Sequence, residues 1–313
     1  MVITFPADLT LRPATAGDLR AITELVCACE LVDQGRTETI PADIEDMWED
    51  TNLATDAFVL LTDVGQIVGY TAVCPDSEYI RLDIHTSVHP THRQSGLEHS
   101  LLALAEERAR QLLSEAERPI PHQIRGWAFS ALQREMLVQE GYHVTSSEIN
   151  LEILLDHEPD APQALEGIAT RRYQPEQDER AVHAVIQESF QDIGGHPYQK
   201  FEKWSERATG HSHFDPAQLY VALAGDQIVG AITCRTYEEH HEGHITQLGV
   251  RRPWRKRGIA RHLMQQVFTA YYQRGIQHIT ISVDAHNPTG AIQLYQAMGM
   301  HEYEQVHNML KPL

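Results

Sequence analysis

Between Val250 and Leu263 the chain reads VRRPWRKRGIARHL, six basic side chains (Arg251, Arg252, Arg255, Lys256, Arg257, Arg261) in a protein of formal net charge −19. The glycine gives that charge a chemical meaning. A helix that starts just after Gly258 offers unpaired backbone N–H groups and a partial positive charge, and a glycine lets a phosphate approach the backbone closely. Arg255-x-x-Gly258-x-Ala260 therefore reads as a pyrophosphate cradle, with Arg255, Lys256 and Arg257 adding charge. The spacing is neither the three-glycine dinucleotide fingerprint nor a Walker loop. A second concentration of reactive groups, Tyr237-Glu238-Glu239-His240-His241-Glu242-Gly243-His244, lies just ahead. It lacks the HExxH spacing, so a solvated hairpin tip outweighs a metal site and no metal is expected.

The elements that must hold these groups follow from periodicity. HITQLGV, 244–250, reads as a half-buried strand running straight into the basic loop. Beyond it Ile259, Leu263, Met264, Val267, Phe268 and Tyr271 fall on one face of a helix. QHITISVD, 277–284, alternates as a second strand through Ile279, Ile281 and Val283. Strand, helix, strand at this spacing predicts a right-handed crossover between parallel strands.

The same pattern occurs earlier in the chain. Gln66-Ile67-Val68-Gly69 recurs as Gln227-Ile228-Val229-Gly230, 161 positions later, and Val88, Arg93 and Gly96 match Val250, Arg255 and Gly258 at an offset of 162. Arg12 answers Arg171, and Gly141-Tyr142 answers Gly299-Met300. Between the copies DHEPDAPQALE, with two prolines and no periodicity, reads as a linker. The expected architecture is mixed α/β: two tandem domains, residues 1–155 and 167–313 around a linker at 156–166, each a twisted mixed sheet flanked by helices.

In the second half four elements occur in order. They are Leu248-Gly249-Val250, then Arg255-x-x-Gly258-x-Ala260, then Val283-Asp284-Ala285-His286-Asn287-Pro288-Thr289-Gly290-Ala291, then Leu294-Tyr295-x-x-x-Gly299-Met300. Together, over about residues 168–313, they resemble the core of the GNAT acetyltransferase superfamily. The resemblance implies acetyl-CoA as co-substrate, with the Arg255, Lys256, Arg257, Gly258, Ile259, Ala260 loop on its diphosphate. It implies the strand edge at Leu248 and Val250 along the pantetheine and thioester carbonyl, Asn287 on the pantetheine, and Tyr295 as the acid that protonates departing CoA thiolate. A phenol of ordinary pKa about 10 facing a thiol of about 8.5 suits that step. Attack on a thioester also needs a base for the amine proton, and His244 or Glu242 is expected to serve. Pro288 suits the first turn of the helix that follows. Phe190, His196 and Tyr198, in SFQDIGGHPYQK, line an acceptor pocket in one reading and are ordinary loop residues in the other.

The first copy departs at three working positions. Glu98 stands where Ala260 stands, Phe129 opposite Asn287, and Leu137 opposite Tyr295. A carboxylate at a phosphate cradle brings bulk and like-charge repulsion, so the first half is expected to be structural or to shape the acceptor site. A tandem with one intact half resembles mycothiol synthase-like acetyltransferases.

Bulk properties agree. A chain of 313 residues suits two cores, 42% of it is hydrophobic, and no apolar run nears the roughly 20 residues of a membrane span. The start MVITFPADLTLR has no secretory pattern, so a cytoplasmic location is expected. Four cysteines are too few and too scattered for a disulfide framework. With 44 acidic against 25 basic residues, nucleic-acid binding is disfavoured and a cationic partner is favoured. The expected reaction is direct transfer of acetyl from acetyl-CoA to the primary amine of a small molecule, by a monomer or homodimer. Acetylation of a protein N-terminus or lysine is the rival enzyme reading, requiring an open groove. A non-catalytic acyl-CoA sensor is the other, against which stand Asn287 and Tyr295.

Overall fold

The computed structural model describes residues 3–75, 82–115, 123–192, 198–209 and 216–313. In the first copy the elements are β1 (Leu9–Pro13), α1 (Leu19–Asp33), α2 (Pro41–Trp48), α3 (Leu53–Asp56), β2 (Ala57–Thr62), β3 (Ile67–Pro75), β4 (Leu82–Val88), α4 (Leu97–Glu115), β5 (Gln123–Ala128), α5 (Ala131–Gln139) and β6 (His143–Leu154). Among the described residues the second copy follows the same order with two helices instead of three after its first strand: β7 (Ala169–Arg172), α6 (Glu179–Phe190), α7 (Phe201–Thr209), β8 (Tyr220–Ala224), β9 (Gln227–Tyr237), β10 (Glu242–Val250), α8 (Ile259–Gln273), β11 (His278–Asp284), α9 (Ala291–Ala297) and β12 (His301–Pro312). Among the described residues no helix is long and apolar enough to cross a membrane.

Two compact units result, one of residues 1–147 with 305–313 and the other of residues 148–304. In the first unit the order is β1-β2-β3-β4-β5, and the C-terminal residues His307–Pro312 pair antiparallel with β5. In the second the order is β7-β8-β9-β10-β11, and residues Glu148–Leu154 pair antiparallel with β11. Among the described residues the strands within each unit pair antiparallel except for β4 with β5 and β10 with β11, which are parallel. The β10–β11 pair is the parallel pairing expected from the sequence.

The second unit buries both faces of its sheet. Ala222, Val229, Ile232, Ile245 and Ile279 pack under α8, whose Ile259, Leu263, Met264, Val267, Phe268 and Tyr271 are all buried, as the stripe predicts. Their neighbours Val221, Ile228 and Ala231 face the other way, against Val182, Val185 and Ile186 of α6 and Trp204 of α7. Truncating a fully buried leucine such as Leu263 costs about 2–5 kcal/mol in cores of this kind.

Two repeated features acquire physical reasons. A Cβ on Gly230 would lie 3.0 Å from Ile259 Cγ2, and one on Gly69 would lie 2.8 Å from Leu101 Cδ1. The glycine of each Gln-Ile-Val-Gly therefore leaves room where a side chain of α8 or α4 presses on the sheet. Arg12 and Arg171 each make a two-pronged ion pair, with Asp18 at 2.7 and 2.8 Å and with Asp178 at 2.5 and 2.8 Å. The Arg12 guanidinium holds the Asp18 carboxyl down to about 2. These pairs tie the first strand of each copy to the start of the first helix.

Candidate active site

The parallel pair opens into a fork. Register between β10 and β11 runs from Glu242 opposite His278 to Ile245 opposite Ile281 and stops, while β11 continues to Asp284 against Glu148 of β6. A bulge between Ile245 and Gln247 shifts β10 against β9 at the same level. Beyond the bulge Arg251 N–H donates to Val229 O of β9 at 2.9 Å. Alternation along an antiparallel strand then turns the N–H groups of Leu248 and Val250 away from β9, toward the side that β11 has left. Among the described residues no strand pairs with this edge of β10 beyond Ile245, which leaves backbone donors for an extended polar arm.

The open edge leads to the basic loop. Gly258, with φ +82°, is the N-cap of α8, a conformation that side-chain-bearing residues resist. The first α8 N–H to reach a carbonyl of its own helix is that of His262, donating to Gly258 O at 3.0 Å. Those of Ile259, Ala260 and Arg261 therefore remain available for an anion. Lys256, at φ +60°, and Arg257 are exposed, and the Arg257 guanidinium sits 4.8 Å over the Trp254 ring. The geometry fits a diphosphate.

Arg255 does something else with its side chain. Its Nε donates to Val250 O at 3.0 Å, one Nη to Asp192 Oδ2 at 2.6 Å and the other to Ser189 O at 3.2 Å. Arg252 also pairs with Asp192, and Arg251 with Glu188 at 3.1 Å. Arg93 repeats the arrangement, bonding Val88 O at 3.4 Å and both oxygens of Asp33 at 2.6 and 2.8 Å. The arginine shared by the two loops ties each loop to the end of α6 or α1. Asp192 was not among the residues singled out by sequence, although Asp33-x-Gly35 and Asp192-x-Gly194 repeat at an offset of 159. On the diphosphate role that the family resemblance implies for this loop, Arg255→Gln and Asp192→Asn are each expected to raise KM for acetyl-CoA about tenfold, with the double variant no worse than either single one. Steady-state kinetics of the four proteins checks this; an Asp192→Asn protein with unchanged KM would mean that Arg255 contacts the phosphates directly.

Around the fork, Tyr295 of α9 is buried in the same cluster as Val250, Ile259 and Leu263. Burial pushes its phenol above the ordinary value, and its hydroxyl has no protein partner among the described residues. Asn287 accepts from Thr289 N–H at 2.9 Å through Oδ1, forming a turn. α9 begins only at Ala291 after Gly290, so Pro288 lies in that turn rather than in the first turn of the helix. Glu242 and His244 are already within β10, beyond the short Glu238–His240 turn. His244 Nδ1 is 2.8 Å from Thr280 Oγ1, whose hydroxyl donates to Glu242 Oε1 at 2.7 Å. Burial pushes the His244 imidazole down to about 4, and Arg235 adds to the effect. Phe190 ends α6 and packs partly into the α6–α7 cluster, while Tyr198 is exposed with its ring 5.9 Å from His183. His196 lies outside the described residues. Thr280, which sequence did not single out, is the group that joins the two candidate bases.

The first unit differs at each of these places. There Asp83 and Arg125 are parallel-strand partners on β4 and β5, as His244 and Thr280 are on β10 and β11, and they form an ion pair with contacts of 2.5 and 2.8 Å. Glu98 sits in the first turn of α4, its carboxyl raised by burial. Leu137 is buried in apolar surroundings. A cavity of about 310 Å³ remains between α1, β4 and β5, bordered by His85, Trp127 and Phe129 among others.

Residues 180–300 match the acetyltransferase (GNAT) family. A GCN5-related N-acetyltransferase from Sphaerobacter thermophilus, known from its crystal structure, is 30% identical with a TM-score of 0.84, over 98% of this chain and 96% of that one. The mycothiol acetyltransferase of Streptomyces scabiei (strain 87.22) is 26% identical over 254 residues, 78% of this chain and 77% of the relative. A tandem GNAT protein from the clavulanic acid biosynthesis pathway has a similar fold, with a TM-score of 0.72 over 97% of this chain and 98% of that one at 15% identity.

Proposed function

The chain belongs to the GCN5-related N-acetyltransferase (GNAT) family, and from that premise we propose that the unit of residues 148–304 acetylates the primary amine of a small molecule by direct transfer. The carrying observation is the fork between β10 and β11, with the N–H groups of Leu248 and Val250 on its open edge and the glycine-capped α8 at its mouth. Likeness to mycothiol acetyltransferases over most of the chain supports a small acceptor.

Acetyl-CoA, the co-substrate of this family, supplies the activated acyl group when bound. The N–H groups of Ile259 to Arg261 hold the diphosphate, with Lys256 and Arg257 alongside. Leu248 and Val250 hold the pantetheine arm and polarise the thioester carbonyl through backbone donors that need no reorganisation. Asn287 steadies the arm from the β11 side. The His244 hydrogen bond to Thr280 leaves Nε2 as the free lone pair, and that atom takes the amine proton. The Tyr295 hydroxyl, kept protonated by burial, gives its proton to the departing thiolate. The first unit, lacking both proton-handling groups, does not acetylate.

Purified protein is expected to bind acetyl-CoA in calorimetry and to release free CoA thiol with at least one member of a panel of amino sugars, polyamines and aminoglycosides. Absence of acetyl-CoA binding overturns the reading. Release of thiol with a free-amino peptide but with no small amine replaces the small acceptor by a protein one.

A further inference from the structure

One face of the sheet in the second unit carries a string of polar groups that acetyl transfer as described above uses only at its first member. Gly243, Ile245, Ile279 and Ile281 point toward α8, as their packing against Tyr271 and the core beneath it requires. Their neighbours Glu242, His244, His278 and Thr280 therefore share the opposite face, and Glu152 joins them as the β6 partner of Thr280. His244 Nδ1 lies 2.8 Å from Thr280 Oγ1, and Thr280 donates to Glu242 Oε1 at 2.7 Å. Glu242 Oε2 lies 3.4 Å from His278 Nδ1, His278 Nε2 lies 2.8 Å from Glu152 Oε2, and Glu152 Oε1 lies 3.3 Å from His301 Nε2. The side chains of Glu242 and Glu152 are 18% exposed and that of His301 66%, so the string starts inside and ends in water.

Taking His244 as the base, which rests on the function proposed above, we propose that His244, Thr280, Glu242, His278, Glu152 and His301 form a proton relay from the acceptor amine to solvent. An amine arrives at neutral pH as an ammonium and must lose one proton before its nitrogen can attack. That proton is the one the net reaction releases, since the second ends on the CoA thiol. His244 Nε2 takes it, the Nδ1 proton moves to Thr280 Oγ1, and the Thr280 hydroxyl proton moves to Glu242 Oε1. Glu242, its carboxyl turning, passes a proton to His278 Nδ1, while the His278 Nε2 proton goes to Glu152 and from there to His301 and water. Exchange with water after product leaves restores the starting tautomer of His244. Each hop breaks one N–H or O–H bond and forms one, and no charge accumulates.

Two features favour relay over mere packing. Thr280 has one hydroxyl proton and gives it to Glu242, which obliges it to accept from His244 and fixes the tautomer with Nε2 free. Among the described residues, Arg235 and the Tyr237 ring from β9, Glu242 from its own strand and Thr280 from β11 face His244. Arg235 opposes a lasting imidazolium there, so a proton taken by His244 has to move on.

Glu152→Gln and His278→Gln test this at positions away from the acceptor. In dilute HEPES each is expected to lower kcat about tenfold with KM for acetyl-CoA unchanged, and rising HEPES should restore the rate, whereas wild type is insensitive to buffer. Unchanged kcat, or a loss that buffer does not repair, overturns the relay. Nitrogen NMR of the ligand-free protein gives a second reading independent of turnover and of any one variant's folding. His244 is expected as the Nδ1–H tautomer, and finding it as Nε2–H breaks the string. Wild type silent toward every amine overturns the proposed reaction, while the nitrogen spectrum still decides whether the string exists.

Discussion

Ala260→Glu is expected to weaken acetyl-CoA binding about 100-fold, a loss of about 2.7 kcal/mol, while the melting temperature stays the same or rises slightly. The two effects have opposite signs for one physical reason. A carboxylate in the first turn of a helix interacts favourably with the partial positive charge there, by about 0.3–1 kcal/mol. The same carboxylate competes for the N–H groups that an incoming diphosphate needs and repels its charge. Ala260 is half-buried two residues after Gly258, in the turn whose donors have no helical carbonyl to meet. The first copy has already made this change with Glu98, and α4 forms there without difficulty. Calorimetric titration beside a thermal melt checks both signs. A variant that binds acetyl-CoA like wild type would place the diphosphate elsewhere.

Tyr295→Phe is expected to lower kcat by about 10²–10⁴-fold, the range usual for loss of a positioned general acid, with acetyl-CoA affinity and stability nearly unchanged. Stability holds because the ring is the packed part: Tyr295 is 6% exposed among Val250, Leu263 and Met264, and its hydroxyl bonds no described protein group. Only the proton is lost. Burial keeps the phenol protonated across the neutral range, so the wild-type group is always in its donating form. An acetyl thioester of a more acidic thiol needs less help in departing and should recover much of the lost rate. Equal losses with both thioesters would mean that the hydroxyl positions the substrate and does not protonate it.

Much of the scaffold was legible because it is local. The α8 stripe, the alternation in β11 and the glycine before the helix each lie within a few residues, and spacing alone carries them. The family resemblance rests on the same short-range order. Arg255 shows where such reading stops. Its recurrence as Arg93 is plain in the sequence, but its partner lies 63 residues upstream at Asp192, and a loop arginine beside a phosphate-type glycine gives no hint of it. The likeness between His244 and Asp83 positions is equally hidden, since each is defined by its parallel-strand neighbour, Thr280 or Arg125.

By itself, then, the sequence determined the duplicated order of strands and helices, the apolar faces, the glycine-led helix start and the residues that separate the intact copy from the worn one. These are properties of periodicity and of residue identity at single positions, such as Ala260 against Glu98 and Tyr295 against Leu137, and what those differences do to activity is the reading proposed above. Tertiary structure alone decided that residues 305–313 complete the first unit and residues 148–154 line β11, that β10 and β11 part after Ile245 and Ile281, and that Glu152 and His278 stand in line with His244. Those depend on register between strands far apart in the chain, where a shift of one residue turns every side chain to the opposite face, and no local pattern encodes which partner a strand will find.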